Sequence, residues 1–414
     1  MNILELTREE LSHHLEALSI HALCFFVVSL NSPLAQRYVQ TKRRSPQRDL
    51  ITQEGKLHIV MVQPIYNEMW IDYLNQRPSR RAGRFAPTPT GPLHIGNAYS
   101  ALLAFLSAHS TGGICLLRID DLDLKALPSG CMEDQMNDLT WLGLNFDEGP
   151  KREGIASPYR QSQRGNVYES ALIELNNKGL LYPCYCTRKE IVAAAPHAQD
   201  EGYLYPNICR PSRPEPLDLE RVRALEVNGR RPVLRLNVSA FKLETSWQIP
   251  AHTGTEDHRR IGYIDLIMGP QSAELDHEIG DFILQRRDGV YAYQLACAVD
   301  DVLQGCHWVA RGADLITSTH RQRLLMSALD VPLNWIPSYA HAGLIVDERG
   351  ERLAKRSQST SLRGLREIGV SPERLRAALS KALGGPMRGD LAHLIQHFSW
   401  DQVSDEPVKW EFTP

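Results

Sequence analysis

Apolar positions along this chain change period several times, and each change marks an element. Gly83-Arg84-Phe85-Ala86 reads as a strand, cut off by Pro87, Pro89, Gly91 and Pro92. From Gly96 to His109 the residues Ala98, Leu102, Leu103 and Leu106 recur at helical spacing, and Gly112-Gly113 ends that helix. Ile114-Cys115-Leu116-Leu117-Arg118-Ile119 is then a nearly continuous apolar run, the pattern of a strand buried on both faces of a parallel sheet. Strand, helix and strand in that order make a βαβ unit. The expected class is α/β, a parallel sheet with helices on both faces.

Further helices are expected over 131–142 and 166–178. From Pro183 onward the chain turns rich in Cys, Pro, Tyr and charge with weak periodicity, which reads as an insertion into the sheet. The regular pattern resumes at 261–268 and 282–295, a strand-like run covers 299–309, and a helix is expected over 311–329. The remaining chain is mostly helical, with helix-forming Arg and Leu at 371–383. Five segments follow: an N-terminal extension of unknown role (1–80), a first half of the sheet domain (81–182), the insertion (183–260), the second half (261–345), and a loop with a helical C-terminal region (346–414).

The extension mixes one apolar run (18–30) with basic residues Lys42, Arg43, Arg44 and Arg48. The run is shorter than the roughly 20 residues a spanning helix needs, and reads as a short buried helix or strand. Glu5, Glu9, Glu10 and Glu16 before it do not make a signal peptide, and the basic residues read as a solvated linker. A cytoplasmic protein without a membrane partner is expected.

The 414 residues, 43% hydrophobic and 23% charged, allow two or three domains around a sizeable core. A net charge of −3 supplies no global basic field, although a local basic face remains compatible with a nucleic-acid partner. Eight cysteines in a chain this long do not make a secreted disulfide scaffold. Cys184-Tyr185-Cys186 and Cys209 could fill three of the four positions around a tetrahedral Zn²⁺. Spacing alone weighs that reading equally against three reduced, half-buried thiols.

The string Arg84-Phe-Ala-Pro-Thr-Pro-Thr-Gly-Pro-Leu-His-Ile-Gly-Asn97 carries the strongest chemistry. Proline and glycine fix a turn after a strand and deliver a helix N-terminus, whose dipole and open N–H groups suit a triphosphate. His94, where the helix begins, can donate to phosphate oxygens as charge builds, and Gly96 would let a nucleoside approach the backbone. A short His-x-Gly-x alone would be only a capped turn; the whole string between strand and helix favours nucleotide binding. A second cationic element, Arg352-Leu353-Ala354-Lys355-Arg356, follows Gly343-Leu-Ile-Val-Asp-Glu-Arg-Gly350.

The first string resembles the HIGH signature of class I aminoacyl-tRNA synthetases, with Asn97 in place of the second His. Its lead-in is similar to that of the glutamyl/glutaminyl group. The second element resembles their KMSKS loop, with Lys355 at the catalytic lysine position and Ala354 replacing serine. Ala292-Tyr-Gln-Leu-Ala296, Val299-Asp-Asp301 and Val309-Ala-Arg-Gly-Ala-Asp314 resemble the same group in the same order. The resemblance implies a Rossmann-type sheet interrupted by a zinc-containing, acceptor-type insertion. It implies His94 and Lys355 as catalytic residues, with Gly96 and Asn97 joining them around ATP, and Mg²⁺ accompanying ATP. The implied glutamate pocket is Arg84, Phe85, Ala86, Pro87, Thr88, Asp120, Tyr293 and Arg311. Within it Arg84 and Arg311 are the expected carboxylate partners, Asp120 the ammonium partner, and Tyr293 a wall and hydrogen bonder. Asp120 stands where glutamate-specific members usually carry Glu and glutamine-specific members carry Asp, so glutamate against glutamine stays open. Tyr205 and Cys209 match the family's Tyr-x-x-x-Cys, which implies one structural Zn²⁺ per chain on Cys184, Cys186, Tyr205 and Cys209; His197 is the chemically more usual fourth ligand.

From Gly83 onward the chain resembles a truncated branch of this group, the glutamyl-queuosine tRNA(Asp) synthetases. Only the 59 residues 356–414 follow Lys355, fewer than an anticodon-binding domain needs. The resemblance implies activation of L-glutamate with ATP, then transfer to queuosine at the wobble position of tRNA(Asp), by a monomer. Two other readings stand beside it. One is a glutamyl-tRNA synthetase charging a tRNA 3′ end; the other is a non-catalytic binding protein of the same fold, which Asn97, Asp120 and Ala354 make conceivable.

Overall fold

Four strands, Ala82–Phe85, Ile114–Leu117, Cys306–Gly312 and Ser338–Ala342, form a sheet in which every pairing is parallel. This computed structural model describes residues 49–53, 56–60, 68–194, 204–243, 247, 259–353 and 361–412. The chain divides into two units, Met1–Tyr66 and Asn67–Pro414. In the first, the described residues form one antiparallel hairpin, Asp49–Gln53 with Lys56–Val60. The apolar run 18–30 and the basic residues Lys42 to Arg48 lie outside the described residues. Among the described residues no helix is long and apolar enough to cross a membrane.

The second unit carries the expected α/β architecture. Its parallel strands run in the order Ser338–Ala342, Cys306–Gly312, Ala82–Phe85, Ile114–Leu117. The Ile95–His109 helix makes the crossover between the last two and packs directly on the sheet. Gly83 lets it come close, since a Cβ there would stand 3.0 Å from the Cβ of Ala108. Leu102, Leu103 and Leu106 are fully buried between the sheet and the C-terminal helices Pro372–Ala382 and Leu391–Gln396. Each contributes about 2 kcal/mol of burial. From Ala82–Phe85 the chain builds outward to Ile114–Leu117 on one side and to Cys306–Gly312 on the other. Strand order reverses there, and the crevice beyond the carboxyl ends of such strands is where open α/β sheets bind ligands.

Elsewhere the elements differ from the sequence expectation. The run 299–309, expected as a strand, begins inside the Tyr293–Leu303 helix, and the strand starts only at Cys306. Residues 295–303 of that helix are all buried, Asp300 and Asp301 included, so its charged positions do not mark a solvent face and the helical period is hidden. The segment 261–268 forms an antiparallel hairpin (Arg260–Asp265 with Gly269–Glu274) instead of rejoining the parallel sheet. Ile283–Gln285 pairs antiparallel with Val233–Leu236, which pairs with Leu181–Cys184. The helix expected over 311–329 is Ile316–Ala328, because Arg311 and Gly312 complete the preceding strand.

Candidate active site

His94 is the N-cap of the crossover helix. Its Nδ1 accepts the Gly96 N–H at 3.1 Å, while the Asn97 side-chain oxygen accepts the His94 N–H at 3.1 Å. This reciprocal cap stabilises the first turn by about 1 kcal/mol. It also fixes the imidazole: with Nδ1 an acceptor, the proton of the neutral ring sits on Nε2. Gly96 also has a use that the sequence did not show. A Cβ there would lie 3.1 Å from His94 Cε1, so glycine is what lets the ring fold over the helix end. Asn97 spends its carbonyl on the cap, which leaves its amide as the part that can donate to phosphate or ribose.

The strand-exit loop is held by its main chain. Phe85 and Pro87 carbonyls accept the N–H groups of Arg118 and Asp120 at 3.0 Å each. Gln135 Nε2, absent from the sequence reading, donates to the carbonyls of Gly91 (2.7 Å) and Thr88 (3.3 Å). Ala86 is half-buried between them and Thr88 is exposed. Lys355, with Ala354 and Arg356, lies outside the described residues. The chain on either side is anchored beyond the carboxyl ends of the two central strands. Arg352 pairs with Asp314 at 2.6 Å, and Ser361 bridges His94 while the Leu362 N–H reaches the Leu93 carbonyl at 2.9 Å.

Arg84 and Asp120, the expected carboxylate and ammonium partners, are each paired inside the protein. Arg84 makes a fork of two 3.0 Å bonds to Asp301, and Arg118 bonds Asp301 and Asp120 at 2.7 Å each. Arg164 bonds Asp300 at 2.6 Å, with Tyr168 and Gln161 on the other carboxylate oxygen. Three guanidinium groups thus meet three carboxylates in a dry core, where Arg118 is 0% and Arg84 4% exposed. Burial would raise the Asp301 carboxyl, but Arg84 and Arg118 outweigh it and hold it far below the usual range. For Asp120 burial wins, and its carboxyl is raised against the pull of Arg118. Cys297 Sγ sits between the two guanidiniums, 3.6 Å from Arg84 and 3.5 Å from Arg118.

Arg311 is held differently. It is 4% exposed at the end of the Cys306–Gly312 strand, and its hydrogen-bond partners among the described residues are neutral. Nε donates to His341 Nε2 (3.2 Å), and Nη2 to Thr319 Oγ1 (2.6 Å), Gln322 Oε1 (2.9 Å) and the Leu315 carbonyl (3.5 Å). Nη1 meets only the Tyr293 hydroxyl, at 3.5 Å, among the described residues. Burial pushes the Tyr293 phenol up, so it remains a neutral donor. Tyr293 and Arg311 are therefore brought together as the sequence reading expected. A buried cation without a counter-charge costs several kcal/mol, and among the described residues no carboxylate contacts Arg311.

The three cysteines of the insertion also converge. The sulfurs of Cys184, Cys186 and Cys209 all lie within 4.8 Å of one another, the last two 3.4 Å apart. The Tyr205 hydroxyl is 3.3 Å from Cys184 Sγ and 3.6 Å from Cys186 Sγ, and accepts the Cys209 N–H at 2.8 Å. Metal–ligand lengths of about 2.3 Å to sulfur and 2.0 Å to oxygen put tetrahedral sulfur–oxygen separations near 3.5 Å. The separations of the Tyr205 oxygen from Cys184 and Cys186 are close to that value. His197 lies outside the described residues.

Fold and site together define an α/β enzyme domain with a capped histidine and a buried arginine at the switch point of a parallel sheet. The chain belongs to the class I tRNA synthetases of the E and Q type, a family of ligases whose catalytic-domain model matches residues 82–398. It is 42% identical to the glutamyl-Q tRNA(Asp) synthetase of Symbiobacterium thermophilum over 335 residues, 79% of this chain and 95% of that protein. It is 38% identical to glutamate–tRNA ligase 2 of Alkalilimnicola ehrlichii over 343 residues, 81% of this chain and 66% of that one. The crystal structure of glutamate-tRNA synthetase from Elizabethkingia anophelis superposes with a TM-score of 0.65 at 26% identity, covering 81% of this chain and 68% of that one.

Proposed function

We propose that this protein activates L-glutamate with ATP and transfers it to queuosine at the wobble position of tRNA(Asp). The observation that carries the choice of amino acid is Arg311, a buried guanidinium held only by neutral groups beside Tyr293. A side-chain carboxylate completes its charge, whereas the carboxamide of glutamine leaves the cation unpaired. Glutamate is favoured on that ground despite Asp120. The choice of acceptor is supported by the kinship with glutamyl-Q tRNA(Asp) synthetases.

In the first step a glutamate α-carboxylate oxygen attacks the α-phosphorus of ATP. A carboxyl–phosphate bond forms, the bond to the bridging oxygen breaks, and pyrophosphate leaves. ATP enters with Mg²⁺, which screens its phosphates. The N-terminus of the Ile95–His109 helix and the Nε2–H of His94 receive the charge that builds on the phosphates, and Lys355 neutralises the departing pyrophosphate. Gly96 keeps the imidazole seated, and Asn97 adds its amide. Phe85, Ala86, Pro87 and Thr88 shape the amino-acid side of the crevice. In the second step a hydroxyl of the queuosine cyclopentene-diol attacks the acyl carbon, an ester forms, and AMP leaves. No protein nucleophile takes part, and the enzyme's contribution is position and charge.

Residues 81–182 and 261–345 build the catalytic domain in this reading, and 183–260 form the part that meets the tRNA. One Zn²⁺ on Cys184, Cys186, Cys209 and Tyr205 stiffens that insertion. Arg235, stacked 3.8 Å over the Tyr205 ring, offsets the negative charge of such a ligand set. A second reading, charging of a tRNA 3′ end, is supported by the likeness to glutamate–tRNA ligases. Glutamate-dependent ATP–pyrophosphate exchange tests the activation step that both readings share. Exchange is expected with glutamate and not with glutamine; no exchange with any amino acid sinks both.

A further inference from the structure

Arg311 can act as an anion receptor only if it is held rigidly without being neutralised, and the groups around it do both. The side of the guanidinium carrying Nε and Nη2 is the one that buried arginines usually present to a carboxylate, as Arg84 does to Asp301. In Arg311 that side is consumed by three neutral acceptors: His341 Nε2, Thr319 Oγ1 and Gln322 Oε1. The Nη1 end is thereby turned toward Tyr293.

His341 accepts from Arg311 because of what stands behind it. Its Nδ1 lies 2.6 Å from Asp265 Oδ2, so the ring donates there and keeps Nε2 as an acceptor. Asp265 is itself fixed: its other oxygen accepts the N–H groups of Ile267 and Met268 at 3.0 Å each and of His341 at 3.1 Å. Burial, then the neighbouring Arg311 charge, lower the His341 imidazole despite Asp265, which keeps the ring neutral. The one carboxylate in the assembly is held a full imidazole away from the guanidinium.

We infer that Asp265, His341, Thr319 and Gln322 are positioning residues that keep Arg311 oriented and charged for the side-chain carboxylate of the amino-acid substrate. The inference rests on the reading of Arg311 given above. It separates two properties, orientation and net charge, and each has its own variant.

His341→Asn keeps an amide donor for Asp265 and withdraws the acceptor from Arg311, while His341→Gln places an amide oxygen near the former Nε2. Steady-state exchange kinetics with His341→Asn should show the glutamate KM raised about ten- to hundred-fold, the value of a hydrogen bond to a charged group. The kcat and the ATP KM should stay within about two-fold, and His341→Gln should recover most of the loss. Gln322→Glu puts a carboxylate directly on Arg311. It should raise the thermal midpoint or leave it unchanged, and raise the glutamate KM by at least as much as His341→Asn. A role in folding alone predicts the opposite split: unaltered glutamate KM in the well-folded Gln322→Glu protein, and equal damage from both His341 variants. Either result overturns the inference while leaving glutamate activation by the wild type intact. A wild type without glutamate-dependent exchange removes the reading of Arg311 and the inference together.

Discussion

Replacing Asp301 by Asn isolates the buried charges beneath the crevice. Asp301 receives two 3.0 Å bonds from Arg84 and one of 2.7 Å from Arg118, and it is completely buried. The amide conserves volume, so no cavity term enters, and Arg118 keeps Asp120 at 2.7 Å. What changes is the count: three cations facing three anions become three facing two, and burial keeps Asp301 and Arg118 out of reach of bulk solvent. Removing one partner of a buried ion pair costs about 3–5 kcal/mol. Urea unfolding, followed by fluorescence and circular dichroism, should show the midpoint falling by that free energy with an unchanged slope. The double variant Arg84→Met, Asp301→Asn restores neutrality and should recover a large part of the loss. A single Asp301→Asn variant within about 1 kcal/mol of wild type refutes the reasoning, for it would mean that Arg84 does not depend on Asp301 for its charge balance.

Other consequences are as direct. Gly96→Ala gains up to about 1 kcal/mol of helix propensity, yet its new methyl presses on the His94 ring. Stability should hold or rise while the exchange kcat falls about ten-fold; an undiminished rate removes the role given to the cap. Freshly reduced protein should carry one zinc per chain by metal analysis, and Cys209→Ser should lower that content; well under one zinc in the wild type sinks the ligand proposal. His320 is 5% exposed with Nε2 unbonded, and burial followed by the Arg323 charge lowers its imidazole to about 4. The unfolded chain therefore takes up the proton first, and stability is lost as pH falls from about 6.5 toward 4. That amounts to about 2 kcal/mol at pH 5 relative to pH 8. His320→Leu should abolish this part of the acid sensitivity in pH-dependent urea titrations, and an unchanged pH profile would count against it.

The βαβ unit was legible because its strands and crossover helix keep clean periods between proline and glycine stops, and the capped histidine stands where those periods change. The Tyr293–Leu303 helix was not, since its two charged residues, Asp300 and Asp301, are buried like their apolar neighbours and mark no solvent face. The charges of the site were legible as residue types and illegible as partners. Arg118 and Asp301 are 183 positions apart, and no local pattern pairs them. The same holds for Arg311, whose cradle comes from one neighbouring helix and one neighbouring strand through threonine, glutamine and histidine, residues that composition treats as bland. Resemblance placed Arg84 against a substrate carboxylate, and in the fold its Nε and Nη2 donate to Asp301. The cysteine cluster was readable as a possibility from its spacing. Its fourth candidate ligand, an oxygen, depended on a fold that brings Tyr205 back over Cys184, which spacing alone does not dictate.

The measurement that bears most directly on the account is transfer of labelled glutamate to tRNA(Asp), followed by nuclease digestion to locate the label. The account predicts label on the queuosine nucleoside, none on the 3′-terminal adenosine, and no transfer to tRNA(Asp) lacking queuosine. Label on the terminal adenosine, with indifference to the modified base, would contradict it.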